Sequence, residues 1–445
     1  MKNVPFFLGH LIIFLFLCSR QLVRGMSHLW KPQVRHWRTN KAVLLIVTRK
    51  TMVTLKLIFW FCLGLVFYTY IGYGILLYAM LRLKRLLGKQ QAEPLLPADK
   101  ELPPVTLMIC AYNEEEIIAE KMANIRQIDY PKDKLCVMWV TDGSSDHSND
   151  LLRQYPEVTL VYSRERRGKA AAMQHGLQAN KAPYVVFTDA NTMLNAGSIR
   201  EIVRQFMKPG VSCVSGEKRV AARQAGQVAA EGEGLYWKYE STLKRWDSEL
   251  YSAMGAAGEL FAVRMEHYRE APSNALLDDF MMSMLIVKDG HRIAYTSEAY
   301  AMEYGSADMH EESKRKRRIA AGGLQSIWWL RGLMNPWKYP LVSFLFVSHR
   351  VLRWSVTPLA LIALIPLNLI LIWLNGGLLY TVIAILQGLF YTAVAIGWMQ
   401  AKAGRKSKLF YIPYYFMFMN FNVFRGITYL RTHSHSGTWE KAKRG

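Results

Sequence analysis

The chain has 445 residues, 51% of them apolar and 20% charged, with a formal net charge of +22. The excess is uneven: residues 101–340 carry 30 Lys and Arg against 31 Asp and Glu, whereas the rest carries 26 against 3. A nucleic-acid binder would show its basic face on the folded domain, so that class is set aside. Basic residues beside long apolar runs instead follow the positive-inside pattern of membrane proteins.

Residues 1–51 hold nine basic and no acidic residues around an apolar stretch, 4–18, of only 15 residues. They read as a basic extension, and a start at Met1 or at Met52 are both open. Residues 57–81 are 25 uncharged residues followed by Arg82, Lys84 and Arg85, which predicts a membrane helix within 52–89 that ends in the cytosol. Its tyrosines, Tyr68, Tyr70, Tyr73 and Tyr78, are expected to pack against another helix. Pro94, Pro97, Pro103 and Pro104 mark a linker over 90–104.

From 105 to 310 short β-rich runs alternate with helical ones: 105–110, 114–127, 135–141, 158–162, 169–179 and 184–188. That alternation predicts an α/β domain with a mostly parallel sheet and helices on both faces. Ligands of such sheets bind at the C-terminal strand ends, so the polar residues there carry the interest.

After the first run come Ala111, Tyr112, Asn113 and Glu114, where Asn113 with Glu116 fits a capping box. Asp142 follows the second run in a turn-like Asp-Gly-Ser sequence. Arg166-Arg167-Gly168-Lys169 opens a helix, where backbone N–H groups and a basic side chain attract phosphate. The run of Val and Phe after 184 ends in Asp189-Ala190-Asn191, whose alternate side chains can face one ion. Hard oxygen ligands suit Mg²⁺ or Mn²⁺, which neutralise a diphosphate leaving group.

Asp278-Asp279 precedes an apolar helical stretch; one is expected to cap it, the other to act as a general base on an acceptor hydroxyl. Residues 314–318 are five basic residues in a row, suited either to anionic lipid headgroups or to a diphosphate. Residues 311–353 read as an amphipathic membrane-interface segment. Two further spans, 354–374 and 378–399, meet at Asn375-Gly376-Gly377 within a C-terminal membrane region of 354–430, before a basic tail of 431–445. Whether 409–430 spans or re-enters is open, because Pro413, Asn420, Asn422 and Arg425 interrupt it. The cysteines (Cys18, Cys62, Cys110, Cys136, Cys213) lack CxxC spacing and read as reduced, buried thiols rather than a zinc site.

In this order the pieces resemble the membrane-integrated branch of the family 2 glycosyltransferases, which includes synthases of hyaluronan, cellulose and poly-N-acetylglucosamine. The resemblance implies a GT-A fold, a Rossmann-like mixed sheet, and an inverting transfer from a UDP-sugar to a growing polysaccharide or lipid-linked acceptor. It further implies Mg²⁺ or Mn²⁺, a lipid bilayer around the helices, a catalytic domain in the cytosol and a bacterial inner-membrane location, with partner subunits open. Residue by residue, Tyr112, Asn113, Glu114, Asp142 and Lys169 fall at its nucleotide-binding positions, and Asp189 at the metal-binding aspartate, with Asn191 in place of the second one. Asp279 falls at the catalytic base, Gly255, Gly258 and Glu259 at the acceptor-proximal loop, and Arg315 and Arg318 at the pyrophosphate-holding positions. Ile319 stands where a channel tryptophan is expected, so one sugar or many stays open. So do transfer of a single sugar to a polyprenyl-linked lipid and a catalytically silent membrane subunit.

Overall fold

The computed structural model describes residues 37–88, 93–221, 228–304, 309–403 and 407–432. The expectations for the extension before residue 37, for Cys18 and for the tail after 432 lie outside them.

The α/β domain is one mixed sheet built from β1 (Val105–Ala111), β2 (Leu135–Asp142), β3 (Val158–Ser163), β4 (Tyr184–Asp189), β5 (Met193–Leu194), β6 (Val211–Ala221), β7 (Leu260–Arg264) and β8 (Arg292–Tyr304). Its order is β3-β2-β1-β4-β7-β6-β8-β5. The first half is parallel, as expected; β7 runs antiparallel to both β4 and β6. Because side chains alternate across a strand, each face buries its own layer. Met108, Met138 and Val140 pack with Met173 and Phe280 on one side. Leu107, Ile109 and Trp139 pack with Ile118, Met122 and Ile202 on the other.

Among the described residues, three helices are long and apolar enough to cross a membrane: Arg49–Leu86, Pro340–Trp373 and Leu378–Lys402. The first and second each carry a π-helical stretch, Tyr68–Gly72 and Val347–Val356. These stretches touch: Tyr68 Oη lies 2.8 Å from Ser348 Oγ, and Thr69 Oγ1 lies 2.8 Å from Thr357 Oγ1 just beyond the second. The tyrosines thus do pack between helices, and Tyr70 donates to Asn420 Oδ1 at 2.5 Å. The second and third helices meet in a tight turn with Asn375 at φ +55° and Gly377 at φ +110°.

The segment 311–353 differs from the expected interface stretch. Its first part lies in a helix, Met309–Trp329, whose Arg315 and Lys316 are buried; its last part belongs to the membrane-length helix that begins at Pro340. Residues Lys408–Thr432 form one helix, packed along Met309–Trp329, and it is not among the three apolar ones.

Candidate active site

The parallel strands β1, β2 and β4 end side by side, with Ala111 paired to Thr141 and Cys110 to Asp189. Their polar ends open onto a cavity of about 970 Å³. Gly143, just past β2, sits at φ +67°, and a side chain there would meet Arg166 N at 2.6 Å. Only glycine lets the 163–168 loop close over this turn.

That closure is made by Asp142. Its buried carboxylate accepts the backbone N–H groups of Arg167 at 2.8 Å and Gly168 at 2.7 Å. The amides expected to attract phosphate therefore already hold a carboxylate. The Lys169 ammonium turns instead to Asp189 Oδ1, 2.6 Å away. Burial opposes that charge, but Asp189 and Asp278 outweigh it and hold Lys169 firmly protonated.

Asp279 stands at the start of the helix Asp278–Lys288. Neither aspartate is the N-cap, a position that falls to Leu277. Asp279 Oδ1 accepts the N–H of Phe280 at 2.8 Å. Burial, and then the neighbouring charge of Asp278, push its carboxyl up to about 7. Asp278 Oδ2 is buried without a hydrogen-bond partner among the described residues. A Cβ at Gly258 would lie 3.0 Å from Asp279 Oδ2 and 3.5 Å from Lys169 Nζ, so the bare backbone at 258 leaves space beside both groups.

Glu259 is buried and pairs with Lys218 at 2.8 Å and Arg315 at 2.9 Å, while Glu303 joins the same cluster. Burial opposes its ionisation, but the Lys218 and Arg315 charges keep the carboxyl well below the usual range. Residues 314–318 all line the cavity. Arg315 serves partly to neutralise Glu259 and Glu303, and Arg318, its pKa lowered by burial, faces the same space.

The cavity wall thus joins Ala111, Tyr112, Glu114, Asp142, Lys169, Asp189, Asn191, Gly258, Glu259, Asp278, Asp279, Arg315 and Arg318. It omits two expected residues. Gly255 lies behind the wall, its missing side chain replaced by the Phe280 ring 2.2 Å from the Cβ position. Asn113, at φ +53°, is not a helix cap: its side-chain oxygen accepts Ser145 N–H at 2.9 Å. The helix Glu115–Arg126 is capped from the adjacent loop, where Asp146 accepts Glu115 N–H and Ser148 accepts Glu114 N–H. Glu116 completes no capping box.

Several residues in and behind the wall are not marked by the sequence. Lys121, fully buried with its pKa lowered to about 7 by desolvation, donates to Thr188 and to the Thr192 carbonyl and so holds the turn after β4. Glu240, Lys244, Arg350, Arg353 and Trp354 close the cavity from the membrane-helix side. Charged residues within otherwise apolar sequence were the available signal for Arg350 and Arg353.

Comparison with known families decides the lineage: the family described as glycosyltransferase like family 2 matches residues 103–322. The chain carries a family 2 glycosyltransferase domain. Relatives of this glycosyltransferase domain include a poly-beta-1,6-N-acetyl-D-glucosamine synthase of Staphylococcus aureus (strain COL), 26% identical over 268 residues, 57% of this chain and 63% of that protein. A probable glycosyltransferase, YdaM, of Bacillus subtilis (strain 168) is 24% identical over 217 residues, 46% of this chain and 51% of its own. The chain therefore spans less than two thirds of the length of these curated relatives. A solved mannosyltransferase from Pyrobaculum calidifontis, in complex with GDP-Man and Mn²⁺, aligns with TM-score 0.61 and 21% identity over 83% of this chain and 98% of its own. That likeness establishes the GT-A-like sheet of the glycosyltransferase domain.

Proposed function

We propose that this chain is a membrane-bound, inverting glycosyltransferase that moves a sugar from a UDP-sugar to a growing polysaccharide or lipid-linked acceptor. The observation that carries the reading is Asp279: a carboxyl pushed up to about 7, on the wall of a cavity shared by the strand ends and the membrane-side helices. A base poised near neutrality can take a proton from an acceptor hydroxyl as its oxygen attacks the anomeric carbon.

The nucleotide sits towards Tyr112, Glu114 and Asp142, and Lys169 and Arg318 face the departing diphosphate. The Asp189 carboxylate, whose Oδ2 makes no hydrogen bond among the described residues, and the Asn191 amide form a hard-oxygen donor set that fits Mg²⁺ or Mn²⁺. Such an ion would neutralise charge on the leaving diphosphate. The catalytic domain faces the cytosol in this reading, beside Arg82, Lys84 and Arg85.

Incubating membranes with a panel of UDP-sugars, with and without Mn²⁺, then sizing and weighing the product, tests this. Polymer supports the polysaccharide acceptor, and a single-sugar mass shift on lipid supports the polyprenyl alternative. No UDP release with any sugar would leave the silent-subunit reading.

A further inference from the structure

Beyond Asp279, the cavity continues into a second polar cluster with a different composition. Glu240, on the helix Val228–Leu250, accepts Arg350 Nη1 at 2.6 Å and Arg353 Nη1 at 2.7 Å. Both arginines ride the π-helical stretch of a membrane-length helix, and each is at most 6% exposed. Lys244, one turn beyond Glu240, is 4% exposed and lines the same space.

The cluster is not internally satisfied. Arg353 Nε is buried with no hydrogen-bond partner among the described residues. Lys244 makes no hydrogen bond or ion pair among the described residues; its ammonium only faces the Trp237 ring, 5.8 Å from the centroid. Burial, then the charge of Arg350, lowers its pKa to about 8. Arg350 and Arg353 share Glu240, whereas Lys244 is met only at longer range by the charges of Glu240, Glu259 and Asp279, and a buried cation without a close counter-ion is costly.

Arg350 of the cluster meets the wall at Phe280, next to Asp279. Asp189 and Lys169 flank Asp279 on one side, whereas Phe280, the next residue, lies 5.9 Å from Arg350 and 5.2 Å from Trp354 on the other. Tyr70, whose ring lies 4.7 Å from that of Phe416, lines the same cavity, as do Met419 and Val423, with Asn420 bonded to the Tyr70 hydroxyl. A ligand filling this end must pair a compact anion with hydrocarbon.

We propose that Lys244, Arg350 and Arg353 form a subsite for the phosphoryl group of a lipid acceptor, whose hydrocarbon lies along the Tyr70–Phe416 wall. This deepens the transferase reading and rests on it.

The test is binding, read without turnover, by the full chain in nanodiscs against a long-chain prenyl phosphate, the matching uncharged prenol and inorganic phosphate. The prenyl phosphate should bind at least about tenfold tighter than the prenol, since hydrogen bonds to charged groups are worth that much. Lys244→Met should remove most of the difference while leaving UDP binding intact, which reports that the chain is folded. Arg353→Lys, which keeps the charge beside Glu240 but not Nε, should weaken the phosphate lipid and not the prenol. Equal binding of phosphate and prenol, or unchanged phosphate binding in both variants, would overturn the subsite. Inorganic phosphate binding as tightly as the lipid would overturn the lipid assignment. If the phosphate lipid binds as expected but no donor is consumed with any acceptor, the subsite stands and the transferase reading falls.

Discussion

The Lys169 ammonium lies 2.6 Å from Asp189 Oδ1, tying the helix that follows β3 to the end of β4. The pair spans the gap in which a donor diphosphate would rest. Lys169→Met should therefore raise the donor KM by about tenfold or more, the worth of one charge-assisted contact. Steady-state rates against UDP-sugar concentration check this, and an unchanged KM would remove Lys169 from the donor site.

Asp279→Asn keeps the shape of the site and removes the base. Transfer should fall by about 10²- to 10⁴-fold while UDP binding, measured by calorimetry, is preserved. Full activity in this variant would refute the assignment of the base.

The same carboxyl sets a pH dependence. With Asp279 raised from 3.8 to about 7, the active, ionised form appears only as pH rises through about 7, so kcat/KM should climb there. Stability runs the other way. Between about 4 and 7 the folded chain binds this proton and the unfolded chain does not, so the stabilisation is complete below about 4 and is lost as pH rises through 7. Asp279→Asn should flatten both slopes, as rate profiles and thermal melts across this range would show.

Gly258→Ala would put a methyl carbon 3.0 Å from Asp279 Oδ2. Acceptor and base would be pushed apart, so kcat should drop by about tenfold or more with little change in donor KM. Equal loss in both parameters would point to general disruption of the site.

Glu240→Ala would leave Arg350 and Arg353 buried without their shared carboxylate. Removing one partner of a buried ion pair costs about 3–5 kcal/mol, so the melting temperature should fall clearly, whereas Lys244→Met should scarcely move it.

Much of the donor side was legible in the sequence because it is local. The runs after 105, 135 and 184 end where apolar alternation gives way to Ala111, Asp142 and Asp189, and parallel pairing then aligns those ends. The helix expected over 169–179 forms as Lys169–Ala179. What failed was contact between distant segments. Asn113 looked like a cap because the true caps, Asp146 and Ser148, come from another loop. For the basic run 314–318 the sequence leaves headgroups and a diphosphate both open, because nothing nearby in sequence announces Glu259 and Glu303 as partners of Arg315. Trp354 was read as the first residue of a span, yet its ring fills the space over Gly323, whose Cβ position is 2.5 Å from Trp354 Cε3. Trp354 and Ile319, which stands where a channel tryptophan is expected, both line the cavity.

The wide turn at Val347–Val356 makes the second membrane helix sensitive to residue count rather than residue type. A π turn holds one residue more than an α turn, and each residue of an α-helix advances about 100° around the axis. Deleting a single residue there would let the stretch close toward an α turn with its two flanks nearly in phase. The same deletion within the α-helix Thr357–Trp373 would instead turn everything beyond it by about 100°. The place of a one-codon loss, more than the residue it removes, would decide what it does to this helix.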